Sequence, residues 1–189
     1  VGAKWQNQFK PGQRFAQQPA LNYKGSLASP GYSYEYFGGA CTYCIIPHEV
    51  MELGCLMNYD GDSFFEASLG EPMSCIIGGY HANYHTNKKN YEHTMGTKEG
   101  GNILIMGGCG PMGLGAVSYG IKFENRPKRI VVTDISDDRI ARAKKMITPE
   151  QAAANGVELI YANTATMDDE YEGLMALTEG HGYDDVFVY

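Results

Sequence analysis

The chain has 189 residues, 43% hydrophobic and 20% charged, a balance that gives a globular protein enough apolar material for a core. A formal net charge of −7 and a pI near 5.2 argue against nucleic acid or an anionic membrane surface as partner. The five cysteines are odd in number and follow no paired framework, which favours a reducing, cytoplasmic setting over a secreted disulfide scaffold. No signal peptide or membrane-length apolar run is visible.

Residues 1 to about 70 read as β-rich and irregular. Lys10-Pro11-Gly12 is a turn feeding a short strand through Arg14-Phe15-Ala16, and residues 22–39, rich in Gly, Ser, Tyr and Pro, read as a long ordered loop. Thr42-Tyr43-Cys44-Ile45-Ile46-Pro47 reads as a strand closed by proline. Residues 64–85 turn helical in pattern, and residues 86–101 form a polar connector ending in glycine. From Asn102 onward the texture alternates. Strands are expected at 102–106, 130–134, 158–162 and 185–189, with helices near 111–123, 137–147 and 167–179. Ser136 is placed to cap the second of these helices, with Asp137 and Asp138 in its positive first turn and Lys144 and Lys145 at its negative end. Repeated βα units imply a parallel sheet with right-handed crossovers.

The most informative stretch is Gly107-Gly108-Cys109-Gly110-Pro111-Met112-Gly113, which follows the apolar run ending at Met106. Gly108, Gly110 and Gly113 have GxGxxG spacing, and Asp134 ends the next apolar run, Ile130-Val131-Val132-Thr133. In a dinucleotide-binding turn the first glycine permits the tight bend, the second admits the pyrophosphate, and the third lets helix and strand pack closely. The phosphates sit on the free N–H groups at the helix start, here those of Met112 and Gly113, with Pro111 at the first helical position. An acid roughly 20 residues on accepts hydrogen bonds from the adenosine ribose, which is the role expected of Asp134. Its carboxylate favours NAD over NADP. Arg139 is the nearest base, placed to stack on adenine or reach a phosphate, so NADP stays open.

Other residues invite chemistry less directly. Cys41-x-x-Cys44 has a chelating spacing, but a structural zinc needs two further ligands, and only Cys55 and His48 are near in sequence. His81 and His85, at i and i+4, would share a helical face, yet no third ligand accompanies them. They are expected to line a cleft or cap a helix. Cys109 is expected to fit the turn by its small size, and Cys75 to pack. The clusters Arg126-Pro127-Lys128-Arg129 and Arg142-Ala143-Lys144-Lys145 read as a solvated loop and a helix end. The chain opens on Val1-Gly2 and closes inside an apparent buried strand, so it reads as an internal section of a longer protein.

In order and spacing, these motifs resemble the zinc-type medium-chain dehydrogenases/reductases. The matching pieces are Lys10-Pro11-Gly12-Gln13-Arg14, Gly38-Gly39-Ala40-Cys41 through Pro47, Glu66 through Pro72, the glycine turn, and Val131-Val132-Thr133-Asp134. The resemblance implies an α/β fold, with part of a GroES-like β-barrel catalytic domain over residues 1–72. The first four strands of a Rossmann doubly wound parallel sheet would follow over 73–189. Pro30-Gly31-Tyr32-Ser33, Glu71 through Gly78, Ala82-Asn83-Tyr84-His85 and Leu174 through Thr178 are similar to the L-sorbose 1-phosphate reductase branch.

That branch implies hydride transfer between a nicotinamide cofactor and a sugar phosphate, L-sorbose 1-phosphate against D-glucitol 6-phosphate, in a homo-oligomer. It also implies a catalytic zinc held by an upstream Cys and His-Glu pair, which this sequence does not contain. Glu71 of the Glu-Pro motif would complete that site, directly or through the zinc-bound water, as the catalytic and metal residue. From the residues alone, Glu71 reads equally well as an acid favoured at a helix N-terminus ahead of Pro72. An unphosphorylated polyol, a secondary alcohol, and a non-catalytic dinucleotide-binding role stay open. A methyltransferase is disfavoured because no acid precedes the glycine turn.

Overall fold

A computed structural model describes residues 1–19 and 21–189. They fall into two compact units, Val1–Pro72 and Met73–Tyr189, each taken by itself.

In the first unit, strand β1 (Phe15–Gln17) pairs antiparallel with β2 (Leu56–Asn58), in a register that sets Ala16 opposite Met57. Helix α1 (His48–Glu52) precedes β2, and α2 (Phe64–Ser68) is capped by the Ser63 side chain, which accepts from the Glu66 N–H. Leu21, Val50, Cys55 and Leu56 form its small core. The GroES-like barrel is not formed among the described residues: this unit has one two-stranded sheet. Thr42–Pro47, expected as a strand, is an irregular loop. A strand requires a paired neighbour along its length, and among the described residues this segment makes one backbone hydrogen bond, Ile45 N–H to the Tyr36 carbonyl at 2.9 Å.

Helix α3 (Gly70–Ala82) is followed by an antiparallel hairpin, β3 (Tyr84–Thr86) with β4 (His93–Met95), where the sequence suggested only a polar connector. The second unit is then built on four parallel strands. These are β5 (Asn102–Met106), β6 (Arg129–Asp134), β7 (Glu158–Asn163) and β8 (Asp185–Val188), in the order β7-β6-β5-β8. Helix α4 (Pro111–Lys122) links β5 to β6, and α5 (Asp137–Met146) with α6 (Pro149–Ala153) links β6 to β7. Helix α7 (Glu170–Ala176) precedes β8. Numbered as they occur within this sheet, the strands run 3-2-1-4, the order of a Rossmann-like sheet up to and across its switch point. Ligands of such sheets bind beyond the strand carboxyl ends where the order reverses, here between β5 and β8.

The elements follow from residue chemistry. Ile103, Leu104 and Ile105 of β5 and every residue of β6 are buried, as expected of strands covered on both faces. Each such aliphatic side chain contributes about 1.5–3 kcal/mol of burial. Ser136 caps α5 by accepting from the Arg139 N–H, and Thr148 with Gln151 forms a capping box on α6. Helix α4 packs closely on α3. A Cβ at Gly115 would stand 2.6 Å from Ile76 Cδ1, and one at Gly120 would stand 2.4 Å from the Tyr80 hydroxyl. That hydroxyl donates to the Ala116 carbonyl at 2.9 Å. No helix among the described residues is long and apolar enough to cross a membrane.

Candidate functional site

The glycine turn sits directly after β5, and its glycines have distinct jobs. Gly107 has φ +66°, where a side chain is strained, and a Cβ there would lie 2.4 Å from the Tyr189 carbonyl oxygen. Gly108 is required by packing: its Cβ would meet Val132 Cγ1 at 2.6 Å and Ile105 Cγ2 at 2.8 Å. The sequence reading gave the tight bend to Gly108; the structure puts the left-handed residue one position earlier. Gly108 N–H donates to the Thr133 carbonyl at 2.9 Å, which ties the turn to the end of β6. A Cβ at Gly113 would be 2.4 Å from the Gly108 Cα, so the third glycine brings α4 against the turn itself.

Gly110 is different. The nearest atom to its would-be Cβ is the Gly107 carbonyl oxygen at 4.0 Å, which leaves that face open for a ligand to approach the backbone. Gly110 also stands at the N-cap of α4, and no side chain caps the helix there. Pro111 at the first position has no N–H to lose, and Met112 and Gly113 present theirs at the positive end of the helix. Met112 is partly buried and packs against the main core.

Asp134 ends β6 and is 4% exposed. Its Oδ1 accepts from the Ile135 N–H at 2.9 Å and the Ser136 N–H at 3.1 Å. Its Oδ2 is buried with no hydrogen-bond partner among the described residues. A buried carboxylate oxygen without a donor is costly, and a ligand hydroxyl would satisfy it. The open face at Gly110, the uncapped helix start and this orphaned oxygen together fit the phosphates and ribose of a dinucleotide.

Arg139 lies in the first turn of α5, with its N–H on Ser136 Oγ. Arg142, read from sequence as part of a solvated helix end, reaches the turn: its Nη2 donates to the Cys109 carbonyl at 3.3 Å. The available signal was its spacing of three from Arg139, which puts both on one helix face. Cys109 is fully buried. Burial and then the Asp134 charge push its thiol up to about 11, against the pull of Arg142 and Arg139. It therefore stays a neutral packing group.

Elsewhere the structure redirects several expectations. Arg129, read as part of a solvated loop, starts β6 and is buried, with Nε on Glu158 at 2.6 Å and Nη2 on Glu179 at 3.0 Å. His81 and His85 do not share a helical face, because α3 ends at Ala82 and His85 belongs to β3. His81 Nε2 is 3.1 Å from the Tyr119 hydroxyl, and His85 Nε2 is 3.1 Å from Asp185 Oδ1. The ligands weighed for completing a Cys41/Cys44 zinc are engaged otherwise: His48 pairs with Glu52, and Cys55 is buried.

Glu71 lies in the first turn of α3. Among the described residues no three His, Cys, Asp or Glu side chains gather as a metal site. The described residues therefore do not by themselves make a zinc centre.

No family model matches the sequence. Along its whole length the chain is 51% identical to an uncharacterized protein, YggP, of Escherichia coli (strain K12), and spans 44% of that protein. It is equally 51% identical to a mannitol-1-phosphate 5-dehydrogenase of Aliivibrio fischeri (strain ATCC 700601 / ES114), spanning 44% of it. It is 41% identical to an L-sorbose 1-phosphate reductase of Klebsiella pneumoniae, spanning 45% of it. The chain thus spans less than half the length of the curated relatives it matches. Among solved structures, AibC superposes with a TM-score of 0.54 at 18% identity, over 95% of this chain and 49% of that one. At that identity the likeness concerns the fold alone.

Proposed function

We propose that the chain carries the dinucleotide-binding part of an oxidoreductase that moves hydride between a nicotinamide cofactor and a sugar phosphate. The observation that carries this reading is the buried, unpartnered Oδ2 of Asp134 in a unit whose glycine turn is open at Gly110. Asp134 takes the adenosine ribose hydroxyls, its Oδ1 already fixed by two backbone N–H groups. The Met112 and Gly113 N–H groups take the pyrophosphate, and Gly110 gives it room. Arg139 borders the adenosine end. The acid at this position favours NAD, because a 2′-phosphate would meet the Asp134 carboxylate. When bound, the nicotinamide supplies the hydride acceptor or donor.

The names of the 51% and 41% identical relatives support a sugar phosphate as substrate. Mannitol 1-phosphate now stands beside the L-sorbose 1-phosphate pair suggested by the sequence motifs. Glu71 as catalytic and metal residue rests on the Glu71-Pro72 motif alone; a zinc-type enzyme, a cytoplasmic setting and a homo-oligomer belong to the same reading.

The test is an NAD titration of the whole protein with and without Asp134→Ala. Losing hydrogen bonds to a charged group costs about 1.5–3 kcal/mol, so NAD should bind roughly tenfold to 150-fold more weakly, with NADP affected less. An unchanged Kd for NAD would overturn the assignment. Rates of NADH oxidation with L-sorbose 1-phosphate and of NAD reduction with mannitol 1-phosphate then decide between the two sugars.

A further inference from the structure

The loop between Gly38 and Ile46 carries two thiols that the cofactor reading does not use. It contains neither helix nor strand, and its ends are held by the Ile45 N–H on the Tyr36 carbonyl. Cys41 is exposed and its Sγ donates to the Gly38 carbonyl at 2.7 Å. Cys44, three residues on, is half-buried and borders the same cavity as Cys41. The two thiols thus face one cavity from a segment that no regular ladder holds rigid. A cavity of about 460 Å³, walled by Tyr36, Phe37, Tyr43 and both cysteines, lies beside them.

We propose that Cys41 and Cys44 form a reversible dithiol–disulfide site, oxidised by a low-molecular-weight disulfide of the glutathione class. Cys41, the exposed thiol, loses its proton and attacks one sulfur of the small disulfide. That bond breaks, a mixed disulfide forms on Cys41, and one small thiolate leaves. Cys44 then loses its proton and attacks the Cys41 sulfur, releasing the second thiolate. The protein gives up two electrons and two protons, and the small disulfide becomes two small thiols. Burial, and after it the neighbouring Cys41, raises the Cys44 thiol, which leaves the exposed Cys41 to attack first. A metal reading of the same pair fails for want of a third ligand among the described residues.

Cleavage after glutamate releases residues 36–49, which contain Cys41 and Cys44 and no other cysteine. The full chain is equilibrated in reduced and oxidised glutathione, alkylated, cleaved and weighed. The expected peptide is two hydrogens lighter and takes no alkyl group; after dithiothreitol it takes two. The oxidised fraction should fall with the square of reduced glutathione, as for an intramolecular disulfide. Two alkyl groups under oxidising conditions, or a peptide that keeps glutathione in first-power dependence, overturns the proposal. Cys44→Ser should trap glutathione on Cys41; no adduct there overturns the order of attack.

Discussion

In Val1–Pro72 the buried cluster is Leu21, Val50, Cys55 and Leu56, while Tyr43, Ile45, Phe64 and Phe65 stay exposed. In Met73–Tyr189 the strands β5 and β6 are sealed between α3, α4 and α5, with Ile103, Ile105, Ile130 and Val132 fully buried. The glycines of the thiol-bearing loop and those packed at the turn and on α4 show the same contrast. Gly38 and Gly39 of the first unit have nothing within 4 Å of a would-be Cβ, whereas Gly108, Gly113 and Gly120 of the second are wedged against neighbours. A βα unit buries both faces of its strand with material from its own neighbourhood in sequence. A three-residue antiparallel pair closes very little. Close packing, and the binding turn that depends on it, belongs to the second unit.

The sharpest way to break that contrast is to add one methyl group to each. Gly113→Ala puts a Cβ 2.4 Å from backbone that cannot yield, so we expect a loss of about 3 kcal/mol in urea unfolding and weakened NAD binding. Gly38→Ala should stay within about 0.5 kcal/mol. Equal costs at the two positions would show that the turn is not the packed element described here.

Thiol chemistry sharpens the comparison next. With its pKa pushed to about 11, the Cys109 thiol holds on the order of one part in a thousand thiolate at pH 8, and it is buried besides. Iodoacetamide should label Cys41 of the folded chain well before Cys109. Labelling of both at one rate would contradict the sealed turn.

The smallest effect concerns the buried Arg129. Its hydrogen bond and charge, and then Lys128, hold the Glu179 carboxyl below the ordinary range. A carboxyl depressed on folding stabilises above its unfolded pKa, and that gain is lost as pH falls through the folded value. Glu179→Gln should therefore lower the Tm slightly at neutral pH, with the difference from the parent shrinking as pH falls below the ordinary carboxylate range. A difference that grows toward low pH would refute the pairing.

Much of the second unit is legible in the sequence because its signals are local. Ile103-Leu104-Ile105 is an unbroken apolar run ended by glycine, and Ser136 with Asp137 and Asp138 marks a helix start. Helix α6 carries an equally local signal in Thr148-Pro149 with Gln151, a capping box. What escaped depends on partners far away. The hairpin at Tyr84–Thr86 and His93–Met95 lacks apolar alternation. Thr42–Pro47 has the composition of a strand but not the neighbour. Of the candidate site, the glycine spacing and Asp134 were readable. The left-handed Gly107 was not, since it depends on contacts across the turn, and of the reach of Arg142 the sequence holds only its spacing of three from Arg139.

One carboxylate near the start of β8 links chain segments that are distant in sequence. Asp185 accepts from the Asn83 Nδ2, the Lys98 N–H and, with the suitable tautomer, His85 Nε2; Asn83 lies 102 residues before it. Closing so long a span carries its entropy cost before any reward arrives. The hairpin around His85 cannot gain these anchors until β8 has docked beside β5. Its backbone amides should thus acquire protection from hydrogen exchange late in folding, in step with the arrival of the last strand rather than with the early β5–α4–β6 unit beside it in sequence.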